Sequence, residues 1–238
     1  MRILAFDTAT DATTVAVRDA SAGLALELRD DPVPGTRPGH ATRLLPMIAD
    51  ALERAGGGWE FIETIAVGIG PGTFTGLRIG VATARALARA RELPLLGISS
   101  LHALAEGARE DAGGRTVLTV IDARRGEAFA AAWRGQERIL PASALPPEAL
   151  TQEVRQLAGA NGTAVLGVGD GALRFREELE IAGAEIPPAD SRLHRISAIN
   201  HCRLAAGLRA TSPAEVEPAY LRAPDAEIAY RERTRGPK

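Results

Sequence analysis

Hydrophobic and polar positions in the first hundred residues follow two different periods. Short apolar runs bounded by turn residues predict strands at 2–7, 13–19, 23–29, 64–70 and 94–99. Apolar or small residues at helical spacing predict helices at 42–55, 75–91 and 100–109. The predicted order of elements is βββαβαβα. Pro46 falls within the first turns of the first helix if Thr42 is the N-cap, where a proline is tolerated.

A second round of the same order follows. Apolar runs predict strands at 116–123, 126–133 and 137–140, with a strand and turn at 163–172. Helical patterns fall at 146–158, 173–183 and about 197–210. A fifth strand would lie near "AEIPPAD", where the prolines weaken it.

The duplication predicts an α/β fold of two RNase-H-like lobes, each a βββαβα unit, with the second lobe degenerate. We expect an N-terminal lobe at 1–100 and a C-terminal lobe at 101–238, whose last helix packs back on the first lobe. Asp7 and Asp122 end the first strand of each round, just before a tight turn. Asp7, Thr8, Thr10 and Asp122 are therefore candidates for weak nucleotide, phosphate or magnesium binding. The alternative is that these aspartates cap the turns.

The segment "GIGPGTFTGLRIGVATARALARA" at 68–90 carries the strongest local signal. A loop from a strand into a helix N-terminus suits an anion. However, the glycines lack the G-x-G-x-x-G spacing, and the lysine of a P-loop is missing. We therefore favour a turn that needs positive φ and close backbone approach.

The helix in this segment is small or apolar around most of its circumference. Gly76, Gly80, Ala84 and Ala88 form a ridge with almost no side chains, and Arg78, Arg85 and Arg89 form a narrow polar stripe. Each helical glycine costs about 1 kcal/mol relative to alanine, so the ridge predicts that another backbone comes close. That backbone belongs either to the same chain, between its lobes, or to a partner. We favour the partner.

Composition narrows the classes of function. The net charge is −2, and no apolar run is long enough to span a membrane. Lys238 is the only lysine, which argues against a Walker A loop, a Schiff base and a protein-kinase site. Cys202 is the only cysteine, which fits a reducing cytoplasm. No catalytic set or metal-binding histidine pair assembles, and His201 and Cys202 point about 100° apart on a helix.

Several motifs together resemble the TsaB (YeaZ) family. They are "ILAFDTAT", the glycine-rich segment, "IDARRGEAF", "GDGA" and "AYLR", and they fall in the family's order from Arg2 to Arg222. The resemblance implies an ASKHA-type fold and a non-catalytic scaffold subunit in the threonylcarbamoyladenosine modification of tRNA. It implies a TsaD-type paralogue and a TsaE-type ATPase as partners, a homodimer when alone, indirect contact with tRNA, and no metal or cofactor of its own.

The resemblance also implies where the partner binds. In this family the helix of the glycine-rich segment and the helix before it pair with the same helices of the paralogue or of a second copy. The implied interface consists of Leu44, Leu45, Ile48, Leu52, Gly76, Leu77, Arg78, Gly80, Val81, Ala84 and Leu87.

Two other functions stay open at this point. An ASKHA-type small-molecule kinase or ATPase would place Asp7 or Asp122 on magnesium, although Ala9 stands where such kinases tend to have glycine. A stand-alone tRNA binder would use Arg78, Arg85 and Arg89 on phosphates, although the acidic net charge opposes tight binding. The tail at 225–238 carries no interpretable pattern.

Overall fold

The first half of the chain forms one mixed sheet. The structure is a computed structural model that describes residues 1–33, 35–159, 164–210 and 212–222. Within these residues the first sheet has five strands in the order β3-β2-β1-β4-β5, with the first three antiparallel and the last two joined in parallel. Its elements, in chain order, are β1 (Arg2–Asp7), β2 (Thr13–Asp19), β3 (Leu24–Asp30), α1 (His40–Arg54), β4 (Thr64–Gly70), α2 (Phe74–Ala90) and β5 (Leu95–Ser99).

The second half repeats this topology. In the described residues its sheet has the order β10-β9-β6-β7-β8, which is the first order read from the other edge. The fifth strand of this sheet is present but only two residues long. This short strand is the sense in which the second lobe is degenerate. The elements are α3 (Ser100–Ala112), β6 (Thr116–Arg124), β7 (Glu127–Arg134), β8 (Glu137–Leu145), α4 (Pro147–Gly159), β9 (Val165–Val168), α5 (Asp170–Arg174), α6 (Arg176–Ile181), β10 (Ala184–Glu185) and α7 (Ala198–Ala205).

Helices cover both faces of each sheet. On the first sheet, alternate residues such as Leu4 and Phe6 pack under α1 and α2, whereas Ile3 and Ala5 pack under α7. This alternation follows from the two-residue period of a strand. On the second sheet, α3 covers one face while α4 and α6 cover the other. The α/β fold of two repeated lobes is therefore confirmed, while the boundary at residue 100 stays a prediction.

Most element bounds agree with the pattern within three residues, but the strand predicted at 137–140 extends to Leu145. The helix predicted at 42–55 begins at His40, after Gly39 as the N-cap. The helix predicted at 173–183 is two short helices, because Phe175 leaves the helical conformation with φ −105 and ψ 29. The last helix ends at Ala205, before the predicted 210. The tail from 223 onward lies outside the described residues.

The glycine-rich segment wraps around the turn that follows β1. A Cβ atom added at Gly76 would overlap the carbonyl oxygen of Thr8, and one added at Gly80 would overlap the Thr8 hydroxyl. A Cβ at Gly68 would overlap the Asp7 carboxylate. Gly70 has φ +98. The interpretation of this segment as a turn with positive φ and close backbone approach is thus confirmed.

The preference for a partner as the close backbone was wrong for the glycine ridge. The close backbone is the turn at Thr8 in the same chain, and the hydroxyl of Thr8 donates a 2.7 Å hydrogen bond to the Gly76 carbonyl. The ridge therefore holds α2 against its own β1, and the glycines carry no evidence for a partner.

We expect Gly76→Ala to destabilise the chain. A new methyl group against the fixed backbone of Thr8 forces overpacking, which costs about 1–3 kcal/mol, while alanine recovers about 1 kcal/mol of helix propensity. Because the overlapping atom is a backbone oxygen, we expect a cost near about 3 kcal/mol and hence a net loss of about 2 kcal/mol in the free energy of unfolding, measured by urea titration. Gly207→Ala is the control, because its Cβ would meet nothing closer than 3.9 Å. Equal stability of the two variants would refute the close-packing argument.

Candidate functional site

The carboxylate of Asp7 is buried in a network that joins three elements. Its Oδ1 accepts a 2.6 Å hydrogen bond from the backbone N–H of Ala9, and its Oδ2 accepts one of 2.6 Å from the Ser100 hydroxyl. His201 Nε2 lies 2.8 Å from the same Oδ2, an ion-pair distance, although the ring N–H points off the line to the oxygen. The network ties β1 to α3 and α7.

The network sets the charge of Asp7. Burial alone would raise the pKa of this carboxyl, but the contacts with His201, Ser100 and the Ala9 N–H outweigh it and hold the pKa below its ordinary value. On the other side of the ring, His201 Nδ1 lies 3.0 Å from the Ser197 carbonyl oxygen. The ring of His201 therefore lies between the Asp7 carboxylate and this carbonyl oxygen. Asp7 is therefore a buried anion with its oxygens already occupied.

The predicted phosphate residues are not assembled into a phosphate site. Asp7 and Thr8 are buried and bonded within the chain. Thr10 does line the cleft between the lobes. Asp122 Oδ2 pairs with Arg174 at 2.8 Å, and its Oδ1 accepts the N–H of Arg124 at 2.8 Å. The alternative interpretation, in which both aspartates cap their turns, agrees with these bonds.

An ion pair links the turns of the two lobes across the cleft. Arg124 Nη2 lies 2.7 Å from both carboxylate oxygens of Asp11. Beside this pair is a pocket of about 520 Å³ that Asp11 and Asp170 line. Burial, and secondarily the charge of Asp122, raise the pKa of Asp170. Arg124 and Arg174, which lie at these turns, are thus already paired with Asp11 and Asp122, and this pairing does not favour their binding a phosphate.

Most of the residues predicted for the partner interface are buried inside the subunit. Their assignment to a surface was wrong, because α1 and α2 turn these side chains onto their own sheet. The eight are Leu44, Ile48, Leu52, Gly76, Leu77, Gly80, Val81 and Ala84. Leu45 is 54% exposed, Arg78 is exposed and Leu87 is half-buried.

The same two helices leave a different set of small and apolar residues facing outward. We call this set the α1–α2 face. It consists of the exposed residues Ala41, Leu45 and Ala49 of α1, and Thr75, Ala82 and Ala86 of α2. Helix α1 also packs against α2, so the two rows of residues lie on neighbouring helices.

The arginine stripe of α2 holds a segment of the same chain. Arg78 Nε donates a 3.2 Å hydrogen bond to the Tyr220 hydroxyl, and its guanidinium lies 3.8 Å from the centre of the Phe74 ring. Arg85 donates to the Ala214 carbonyl at 2.9 Å, and the Ala219 N–H donates to the Ile69 carbonyl at 2.7 Å. The segment 212–222 therefore runs along α2. Arg78 and Arg85, two of the three arginines considered for binding tRNA phosphates, therefore already form hydrogen bonds within the chain.

Sequence reasoning missed the role of His201. This histidine and Asp7 are 194 positions apart, and no local pattern connects a helix residue to a strand end at that separation. Cys202, as expected, is buried, and burial raises the pKa of its thiol to about 12. His40 bonds Thr13 at 2.8 Å, and burial lowers its pKa. Among the described residues, no group of three or more His, Cys, Asp or Glu could hold a metal ion.

No helix in the described ranges combines the length and apolar character needed to cross a bilayer. The repeated strand order and the paired lobes define the class of this protein as ASKHA-type.

The comparisons with known proteins narrow the class to a family. The family described as "TsaD: tRNA N6-adenosine threonylcarbamoyltransferase" matches residues 35–164. The chain is 39% identical to the tRNA threonylcarbamoyladenosine biosynthesis protein TsaB of Escherichia coli, over 67% of this chain and 68% of that protein. It is 31% identical to the protein of the same name from Haemophilus influenzae, over 77% and 80%.

A solved structure agrees with these relatives. YeaZ from Pseudomonas aeruginosa superposes with a TM-score of 0.74 at 31% identity, and the match covers 92% of this chain and 99% of that one. The chain belongs to the TsaB (YeaZ) family.

We expect the buried Asp7 to make stability fall in acid. Its folded pKa lies below the ordinary value of 3.8, so its stabilisation is present above that pH and is lost as pH falls through the folded pKa. Asp7→Asn should cost about 3 kcal/mol at pH 7, because it removes a buried carboxylate on which the Ala9 N–H, Ser100 and His201 converge. The difference from the native chain should narrow below about pH 4.

The measurement is urea unfolding of both chains at pH 7, 4 and 3. Asp190→Asn changes an exposed aspartate and is the control for the loss of one acidic group. A gap between the native chain and Asp7→Asn that stays constant across this range would count against an ionised Asp7.

Proposed function

We propose that this chain is a non-catalytic scaffold subunit in the biosynthesis of threonylcarbamoyladenosine in tRNA. Its role is to bind and activate a TsaD-type paralogue, which carries out the transfer to N6 of the adenosine. Support comes from its membership of a family whose named members are called tRNA threonylcarbamoyladenosine biosynthesis proteins.

The observation that carries the proposal is the occupied carboxylate of Asp7. In a kinase of this fold the acidic residue of the first turn would face magnesium and phosphate. Here both oxygens are bonded within the subunit, and the Ala9 N–H that a phosphate would need is bonded to Oδ1. The chain therefore has the fold of such a kinase but no free carboxylate at Asp7 to face magnesium and phosphate. This arrangement favours a binding subunit over the alternative of a small-molecule kinase or ATPase.

The α1–α2 face is the surface that we propose for the paralogue. Alanines at 82 and 86 let another helix approach closely, and Leu45 offers an apolar side chain that its own core does not use. Close approach of helices over small residues, with a larger apolar side chain beside them, is compatible with a packed helical interface. This face replaces the buried residues among those first predicted.

The finer parts of the proposal concern the rest of the complex. A TsaE-type ATPase joins the assembled pair, tRNA contacts the chain only through the complex, and the isolated chain pairs with a second copy through the same face. Any nucleotide is held mainly by the partner. A cytoplasmic location follows from a tRNA substrate.

We expect Ala82→Arg to abolish binding to the TsaD-type paralogue. A long charged side chain at a small position prevents close approach of a second helix, whereas arginine is a good helix former and preserves α2. The expected loss of affinity is at least tenfold, or about 1.4 kcal/mol. The measurement is calorimetric titration of purified paralogue into each variant, with sedimentation to detect the homodimer.

Ile181→Arg is the matched control, because this 73% exposed residue lies on α6 of the second lobe. It should bind the paralogue as the native chain does. If Ala82→Arg melts normally and still binds with native affinity, the proposed face is incorrect. If the native chain itself fails to bind, the scaffold role falls as well.

A further inference from the structure

A second pocket is separate from the one beside the Asp11–Arg124 ion pair. We call it the rear pocket. Its volume is about 450 Å³, and four separate parts of the chain line it: the end of β5, one side of α3, the turn between β7 and β8, and the end of α7. It shares no lining residue with the pocket beside Asp11. The function proposed above does not use it.

Positive charge around the rear pocket exceeds negative charge. Arg109 is paired with Glu106 at 2.9 Å, so these two groups neutralise each other. Arg203 bonds only the Asn200 side-chain oxygen, at 3.3 Å, and has no carboxylate partner among the described residues. The guanidinium group of Arg203 therefore remains uncompensated at this pocket, in a chain whose net charge is −2.

The interior of the pocket is aromatic and apolar. The rings of His102 and Trp133 are stacked, with centres 5.3 Å apart and an angle of 9° between their planes. Leu208 lines the same pocket and is 54% exposed. Burial lowers the pKa of His102, so at neutral pH its uncharged ring can both donate and accept a hydrogen bond.

The lining combines an apolar and aromatic body with a few convergent polar groups, as small-molecule sites do. The guanidinium of Arg203 matches the geometry of a phosphate or carboxylate, while Gln136 and His102 offer hydrogen bonds to the edge of a ring. We propose that the rear pocket binds a small organic anion with a planar body, whose phosphate or carboxylate pairs with Arg203.

The test is calorimetric titration of the full chain with two planar anions, AMP and benzoate, and with adenosine as the uncharged counterpart of AMP. We expect at least one of the two anions to bind. If that anion is AMP, adenosine should bind at least tenfold more weakly. Arg203→Gln should weaken the anion at least tenfold. Because Arg203 is exposed and pairs with no carboxylate, this variant should keep the native melting temperature.

Arg29→Gln is the control, because Arg29 lines the pocket beside Asp11. It should leave the affinity unchanged. Leu208→Glu adds a carboxylate to the wall of the rear pocket and should weaken the anion independently of Arg203. The proposal is overturned if neither anion binds at millimolar concentration, if Arg203→Gln binds as tightly as the native chain, or if only Arg29→Gln loses binding.

Discussion

The close contact between the glycine-rich segment and the turn after β1 is the constraint on which the rest of the first lobe depends. Side chains at Gly68, Gly76 and Gly80 would occupy the space of Asp7 and Thr8. Because α2 can come this near, the turn is enclosed, and enclosure is what makes the Asp7 carboxylate a buried group that needs partners. Ser100 and His201 supply them from α3 and α7. The packing of one helix thus fixes the positions of two others.

In the non-catalytic subunit that we propose, the same contact is what separates this ASKHA-type fold from catalysis. A carboxylate at the end of the first strand serves chemistry only while its oxygens face an open cleft. In this chain they face inward, and the outward side of the cleft is bridged by Arg124 and Asp11. The ion pair joins the equivalent turns of the two lobes.

The sequence was informative wherever one element determined its own pattern. The first two strands and β4 were placed at their observed bounds, because an alternating or continuous apolar run needs only local packing. Which side of α2 faces its own sheet could not be predicted from the local pattern. Its glycine ridge indicates that a backbone comes close, but which backbone depends on a turn about 70 residues away. Similarly, no spacing rule connects His201 to Asp7. Both errors concern contacts between elements distant in sequence.

Burial of the large side chains of α1 changes the physical basis of the partner binding that we propose. Large side chains such as Leu44 and Ile48 were expected to drive association, yet they already stabilise the subunit and have no apolar area left to bury. An interface on the α1–α2 face must instead rely on close approach over alanines, with Leu45 as the main apolar contact. Arg78 and Arg85 are withdrawn from the same helix by residues 212–222. Binding there would consequently depend on close contact over these small residues.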